Sequence, residues 1–485
     1  MYVNCSELRK AQEVFDRLQV HDVISWSALI SGYARHGLGH EALTCFRQMQ
    51  SEGIHPDQIT YICVLKACCS IGDLHMGEEM HKEVLKLRLL GKNIVVGTAL
   101  VDMYAKCGVL GKAQEVFDKL IEKDVVSWNA LIVGYIQHGL PQEAINCFVR
   151  MRAENFSPNE ATFTCVLKAC GILGCIGMGE EIHTEVLKKH LLEKNVELGN
   201  ALVDMYGKCG RLDKAQEAFN SLSLRNVVTW NALVSGYSRH GFGEEALHYL
   251  EQMKLEGITP DAVTYISSLK ACASTGAIFN GQQIHAEIIT KRLLGTNLAV
   301  GNTLIDMYAK CGSLRKAHEV FERLPIRNVV TWNAIIAGYA QIGMVNTVFL
   351  TFDKMIGENI IPNQVTFLSV LTACSHAGLV ARGQMFFEIM SQNFGISSSL
   401  AHQTCMIDLL GRAGQLDKAM ETIEKMRFHG DLVMWLTLLG ACKKWSNLQI
   451  GEEAFGNALQ LDAIGSAAYV CMYNMYSHID VLEDV

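Results

Sequence analysis

Proline is scarce in this sequence, six residues in 485, and strand-like alternation of apolar and polar residues is rare. Both absences argue against a sheet fold and for helices. No apolar run is long enough to cross a bilayer as a helix. An excess of positive charge is also missing. The formal net charge is −8, so the basic footprint of most nucleic-acid binders is absent, and any such role must rest on local charge. Among the 17 cysteines no two stand in Cys-x-x-Cys spacing, which leaves no metal or disulfide framework to read. There is no Ser-His-Asp order, P-loop or glycine-rich dinucleotide motif. No Arg/Ser-rich targeting segment opens the chain.

What is present is repetition. Met103-Tyr-Ala-Lys-Cys-Gly108 returns as Met205-Tyr-Gly-Lys-Cys-Gly210 and as Met307-Tyr-Ala-Lys-Cys-Gly312, each time 102 residues later. The same offset leads back to Met1-Tyr-Val-Asn-Cys-Ser6, so the chain opens in mid-repeat. It also links Trp26, Trp128, Trp230 and Trp332, and Pro56, Pro158, Pro260 and Pro362. The cysteines obey it as well: Cys107, Cys209 and Cys311, or Cys68, Cys170, Cys272 and Cys374. Cysteines at fixed repeat positions behave as small buried hydrophobes and suit a reducing compartment. A long fixed period marks a solenoid, for which the 49% hydrophobic content is ample.

Each block divides into three related units, for example 125–159, 160–195 and 196–226. The fifteenth position is glycine in every complete unit. It is Gly37, Gly139, Gly241 and Gly343 in the first kind; Gly72, Gly174, Gly276 and Gly378 in the second; and Gly108, Gly210, Gly312 and Gly414 in the third. Glycine adopts positive φ, so a helix ends there and the chain reverses. Before it, Trp128, Leu131, Ile132 and Tyr135 form one apolar stripe; after it, Ala144, Phe148 and Met151 repeat the pattern. Two such helices cannot bury both faces alone, so neighbouring units must stack. The tryptophans belong to the buried stripe.

A Trp-Asn-Ala-Leu-Ile-x-Gly-Tyr helix, followed by Glu-Ala-x-x-x-Phe-x-x-Met and a terminal Pro-Asp or Pro-Asn, resembles the pentatricopeptide repeat. Units of 35, 36 and 31 residues resemble its plant PLS subclass, with P-, L- and S-type motifs. The resemblance implies an all-α fold, a right-handed superhelical solenoid of antiparallel helix–turn–helix repeats. It divides the chain into a partial S-type unit at 1–22 and P-L-S triplets at 23–124, 125–226, 227–328 and 329–431. An E-type extension follows at 432–465 and a partial second one at 466–485, so both ends look incomplete.

The family reads about one unpaired base per unit with the fifth and last residues, the second acting as an apolar wedge; such codes rest on side chains meeting base edges. By resemblance the P-type pairs are Ser27/Asp57, Asn129/Asn159, Asn231/Asp261 and Asn333/Asn363. The S-type pairs are Thr98/Asp124, Asn200/Asn226, Asn302/Asn328 and Thr404/Asp431. Ile24, Val126, Val228 and Val330 are the P-type wedges, whereas Glu197 departs from the pattern. Hydroxyl plus Asp implies guanine, Asn plus Asp uracil, and Asn plus Asn a pyrimidine, cytosine first. The L-type pairs Ile62/Asn93, Ile266/Asn297 and Leu368/Ser399 follow the code poorly, while Thr164/Asn195 implies adenine. The implied RNA is G-n-G-Y-(A)-Y-U-n-Y-Y-n-G, its last G four nucleotides upstream of an edited cytidine. A plainer account treats these side chains as polar residues on an exposed helix face.

Lys106, Lys208, Lys310 and Arg412, with Arg35 and Arg239, recur at position thirteen and are the candidate phosphate contacts. Editing proteins of this class often end in a DYW deaminase, in which His-x-Glu and Pro-Cys-x-x-Cys hold zinc. His81-Lys-Glu83, His183-Thr-Glu185 and His285-Ala-Glu287 supply only the first part, and at repeat spacing. The expectation is therefore a non-enzymatic binder without metal or cofactor, taking no membrane or small-molecule substrate. Two functions stay open. One is recognition of single-stranded organellar RNA for C-to-U editing, in mitochondrion or chloroplast, with a DYW-type deaminase or other editing cofactor in trans. RNA stabilisation, splicing or translation are variants of it. The other is a helical scaffold for protein partners.

Overall fold

The computed structural model describes residues 7–90, 93–193, 195–424, 431–462 and 466–483. The opening match at Met1–Ser6 and parts of the expected units at 425–430, 463–465 and 484–485 lie outside them. Among the described residues every regular element is a helix. None is long and apolar enough to cross a membrane.

The local reasons are legible unit by unit. Val125–Gln137 starts where Asp124 accepts the Ser127 amide and Ser127 returns the bond, a capping box. The chain then reverses at Gly139, whose φ is +73°, and Pro141–Ala153 forms the second helix. The boxes recur at Asp22, Asp57, Asn159, Asn226, Asp261, Asn328 and Asn363. All twelve fifteenth-position glycines have positive φ. At Gly72, Gly174, Gly276 and Gly378 the glycine is itself the left-handed cap.

The chain falls into two compact units, Met1–His240 and Gly241–Val485. Within each, a first helix packs on its own second helix and on the first helix of the next repeat, giving a helical solenoid. In the first unit Val125–Gln137 touches Ile94–Lys106 on one side and Glu160–Leu173 on the other. In the second unit Val329–Gln341 lies in the same way between Leu298–Lys310 and Gln364–Ala377.

The predicted stripes are the core: Trp128, Leu131, Ile132, Ala144, Phe148 and Met151 are all buried. Each of the four tryptophans that recur at the 102-residue offset meets a phenylalanine of the preceding second helix edge-on, Phe15–Trp26, Phe117–Trp128, Phe219–Trp230 and Phe321–Trp332 at 4.5–4.8 Å. Burial pushes the thiols of Cys68, Cys170 and Cys272 up to about 12 and that of Cys374 to about 11, leaving them unreactive packing groups.

Candidate functional site

The second residue of the first helix is the exposed one. Ile24, Val126, Val228 and Val330 are 71%, 61%, 52% and 51% exposed. Ile59, Val95, Val263, Val365 and Val433 at the same place are exposed too. An apolar side chain at this spacing, open to solvent while its helix neighbours are buried, is a surface awaiting a partner.

The last residue of each repeat is the N-cap of the next first helix. Its side-chain oxygen accepts the amide of Thr60 onto Asp57 (2.8 Å), Ser127 onto Asp124 (2.8 Å), Thr162 onto Asn159 (3.0 Å) and Thr229 onto Asn226 (3.0 Å). Thr264 onto Asp261, Thr331 onto Asn328, Thr366 onto Asn363 and Met434 onto Asp431 follow suit. The plainer account therefore needs correcting: these residues have a helix-capping role. Capping explains why the position holds Asp or Asn, but the two cap equally well and it does not explain which. It also orients the group. A backbone N–H demands oxygen, so Asn keeps its NH2 and Asp its second oxygen for the other side.

The fifth residue is not on an exposed face either. Ser27, Asn200 and Asn333 are 5%, 8% and 7% exposed, sunk between adjacent first helices. Four pairs are brought together. Asn129 donates to Asn159 (3.1 Å), Asn200 to Asn226 (3.3 Å), Asn333 to Asn363 (3.0 Å) and Ser27 to Asp57 (3.4 Å). Among the described residues no hydrogen bond joins Thr98 to Asp124, Asn302 to Asn328 or Thr404 to Asp431. Thr98 Oγ1 and Asn302 Oδ1 are buried without a partner, and Thr404 bonds its own helix at Leu400. Asn231 belongs to the first compact unit and Asp261 to the second. An open cavity of about 640 Å³ holds Thr404 and Asp431 between the apolar Leu400 and Val433.

Sequence reasoning missed the partners of the cations. Lys106, Lys208, Lys310 and Arg412 each bond an aspartate one turn back, Asp102, Asp204, Asp306 and Asp408, at 2.6–2.8 Å. The i−4 acid was visible in the sequence and offsets much of the charge. Four residues before Arg239 stands Ser235, so the same one-turn aspartate pair is not available to it.

The His-x-Glu triplets serve packing. His81, His183 and His285 bond Tyr104, Tyr206 and Tyr308 at 2.9 Å, and burial holds the imidazoles below their ordinary pKa. Glu287 bonds Tyr265 and Lys254. Among the described residues no group of three His, Cys, Asp or Glu is placed to hold a metal ion.

Residues 21–70, 123–171, 225–274 and 327–376 match the PPR repeat family. Residues 59–89, 98–125, 200–227, 302–329 and 404–431 match the PPR repeat. A mitochondrial pentatricopeptide repeat-containing protein of Arabidopsis thaliana is 37% identical, over all of this chain and 56% of its own length. A chloroplastic one from the same plant is 36% identical, over all of this chain and 60% of its own. The chain thus spans somewhat more than half the length of these relatives. The crystal structure of the pentatricopeptide repeat protein PPR10 from maize shares the fold, with a TM-score of 0.57 at 18% identity, over all of this chain and 81% of that one. PPR10 has also been solved in complex with an 18-nt psaJ RNA element. With matches along most of its repeats and relatives above one-third identity over its whole length, the chain belongs to the pentatricopeptide repeat family.

Proposed function

We propose that this chain binds single-stranded RNA in a plant mitochondrion or chloroplast, one base per repeat junction. It would act as a site-recognition factor for C-to-U editing, with the deaminase supplied in trans. The observation that carries the reading is the junction itself. An exposed apolar second residue stands one helical turn from a fifth residue that is bonded to a capping Asp or Asn.

Its chemistry divides by residue type. A capping Asn turns its NH2 outward, so Asn/Asn offers donors that suit the N3 and O2 acceptors of cytosine. Asn/Asp offers a donor and an acceptor, which suits uracil. Hydroxyl/Asp offers an acceptor to the N–H edge of guanine. The complex of PPR10 with an 18-nt RNA element supports RNA as the ligand class. The PLS alternation and the helical hairpin Leu432–Trp445 and Leu448–Leu461, in the expected E-type segment, are what favour editing over RNA stabilisation.

The test is a titration of the recombinant chain with a 12-nucleotide RNA of the implied sequence, its shuffled version and its U→G change at the seventh base. The implied RNA is expected to bind about tenfold more tightly than either, and Asn231→Ser to reverse the preference at the seventh base. Equal, weak binding to all three would remove the coded reading and leave a protein-binding scaffold in its place.

The aspartates paired with the cations give a second expectation. Asp306→Asn releases Lys310 toward phosphate. Affinity is expected to rise about two- to fivefold at low salt, and the salt slope of log K to steepen by up to about one. An unchanged slope would remove Lys310 from the phosphate contacts.

A further inference from the structure

A third residue joins each closed pair, from the repeat that follows. Thr162 Oγ1 lies 2.7 Å from Asn129 Oδ1 and 2.9 Å from Asn159 Oδ1. For Thr229 the distances are 2.5 Å to Asn200 and 3.1 Å to Asn226. For Thr366 they are 2.6 Å to Asn333 and 3.2 Å to Asn363. A hydroxyl has one proton to give, and in all three the nearer acceptor is the fifth residue's oxygen. Thr60 sits 2.7 Å from Ser27 in the same place.

The pattern also holds where the hydroxyl is missing. Repeats of the third kind carry Val96, Leu198, Val300 and His402 there. The fifth residues facing them are Ile62, Thr164, Ile266 and Leu368. Thr164 turns its hydroxyl back to Glu160 of its own helix, and His402 spends its ring nitrogens on Ser399 and the Gln364 carbonyl. Within each compact unit, asparagine or serine at the fifth position is followed by threonine in the next repeat: Ser27–Thr60, Asn129–Thr162, Asn200–Thr229, Asn302–Thr331 and Asn333–Thr366. Capping alone does not require this, since Asn93 and Asn195 cap helices whose third residues are Val96 and Leu198.

We infer that Thr162, Thr229 and Thr366 are positioning residues for specificity: each hydroxyl fixes the amide of the preceding fifth residue, so that it meets a base only as a donor. The inference rests on the coded reading proposed above. With Oδ1 bound to the threonine and one N–H bound to the capping residue, each asparagine keeps a single N–H for the ligand. That N–H suits the acceptors of a pyrimidine edge. An amide free to turn over would present oxygen as readily and lose the discrimination.

The test pairs two readouts on Thr366→Val and its conservative partner Thr366→Ser. The first needs no RNA: the order of the Asn333 side-chain NH2, followed by NMR in selectively labelled full chain. The second is discrimination between pyrimidine and purine at the tenth nucleotide, with the other nucleotides as internal controls. The valine variant is expected to mobilise the amide and to lower tenth-base discrimination about fivefold, the loss of one hydrogen bond of about 1 kcal/mol. Overall folding by circular dichroism stays as in the parent, and the serine variant restores both readouts. An amide equally ordered in the valine variant overturns the inference whatever the RNA result. A mobilised amide with unchanged discrimination overturns the specificity role and leaves the hydroxyl a packing device. If the parent chain itself shows no base preference anywhere, the coded reading fails and takes the specificity role with it, while the amide measurement still reports the lock.

Discussion

Replacing Trp128 with alanine is expected to destabilise the protein by about 3–5 kcal/mol. The indole is fully buried, edge-on to Phe117 at 4.5 Å, with Phe156 at 6.2 Å and the Arg150 guanidinium 5.4 Å above its ring. Phe117 lies on the preceding second helix and Phe156 beyond the following one, so the tryptophan is the core of the interface between repeats. In a solenoid each repeat touches only its neighbours, and cooperativity lives in those interfaces. Urea unfolding followed at the helix band should therefore shift to lower denaturant and broaden or split. The indole Nε1 has no hydrogen-bond partner, so Trp128→Phe removes volume without orphaning a polar group and should cost distinctly less. A loss under about 1 kcal/mol for the alanine variant would show that the repeat interface repacks around the gap.

The second large effect is expected on binding and not on folding. Val126→Asp combined with Val228→Asp should lower affinity for the 12-nucleotide RNA on the order of 100-fold, taking about 1–3 kcal/mol for each base that no longer packs on its wedge. Both valines are more than half exposed, so the folded state gives up little packing and the unfolding midpoint should hardly move. The carboxylates would remove the apolar surface offered to the bases and add repulsion toward the phosphates. Glu197 is a natural instance at the equivalent place, so Glu197→Val should act in reverse and tighten binding. Unchanged affinity in the double variant, with the fold intact, would take the second residue out of the interface.

Much of the fold was open to reading without coordinates, because the signals are local. The glycine at position fifteen ends a helix through its own φ, and the Trp128, Leu131, Ile132 stripe follows from the 3.6-residue period. A 102-residue offset that returns Trp, Pro, Cys and Gly together leaves few alternatives to stacked hairpins. The candidate pairs were open in another way. Fifth and last residues could be set side by side only through the family resemblance, since nothing local links Asn129 to Asn159 thirty residues away.

What stayed hidden required neighbours in space. The Asp102–Lys106 type of ion pair was legible as an i−4 spacing, yet whether the side chains meet depends on rotamers chosen by packing. The threonines could not be read as partners of the preceding asparagines, because Thr162 and Asn129 meet only when one first helix lies against the next. The sequence by itself determined the helices, their ends and the repeat. Tertiary structure decided that the last residues cap helices and that Asn129, Asn200 and Asn333 each meet a capping asparagine and a threonine of the next repeat. The physical reason is one of range: helix ends and stripes depend on residues within a few positions, whereas a shared proton between two side chains depends on how two helices pack.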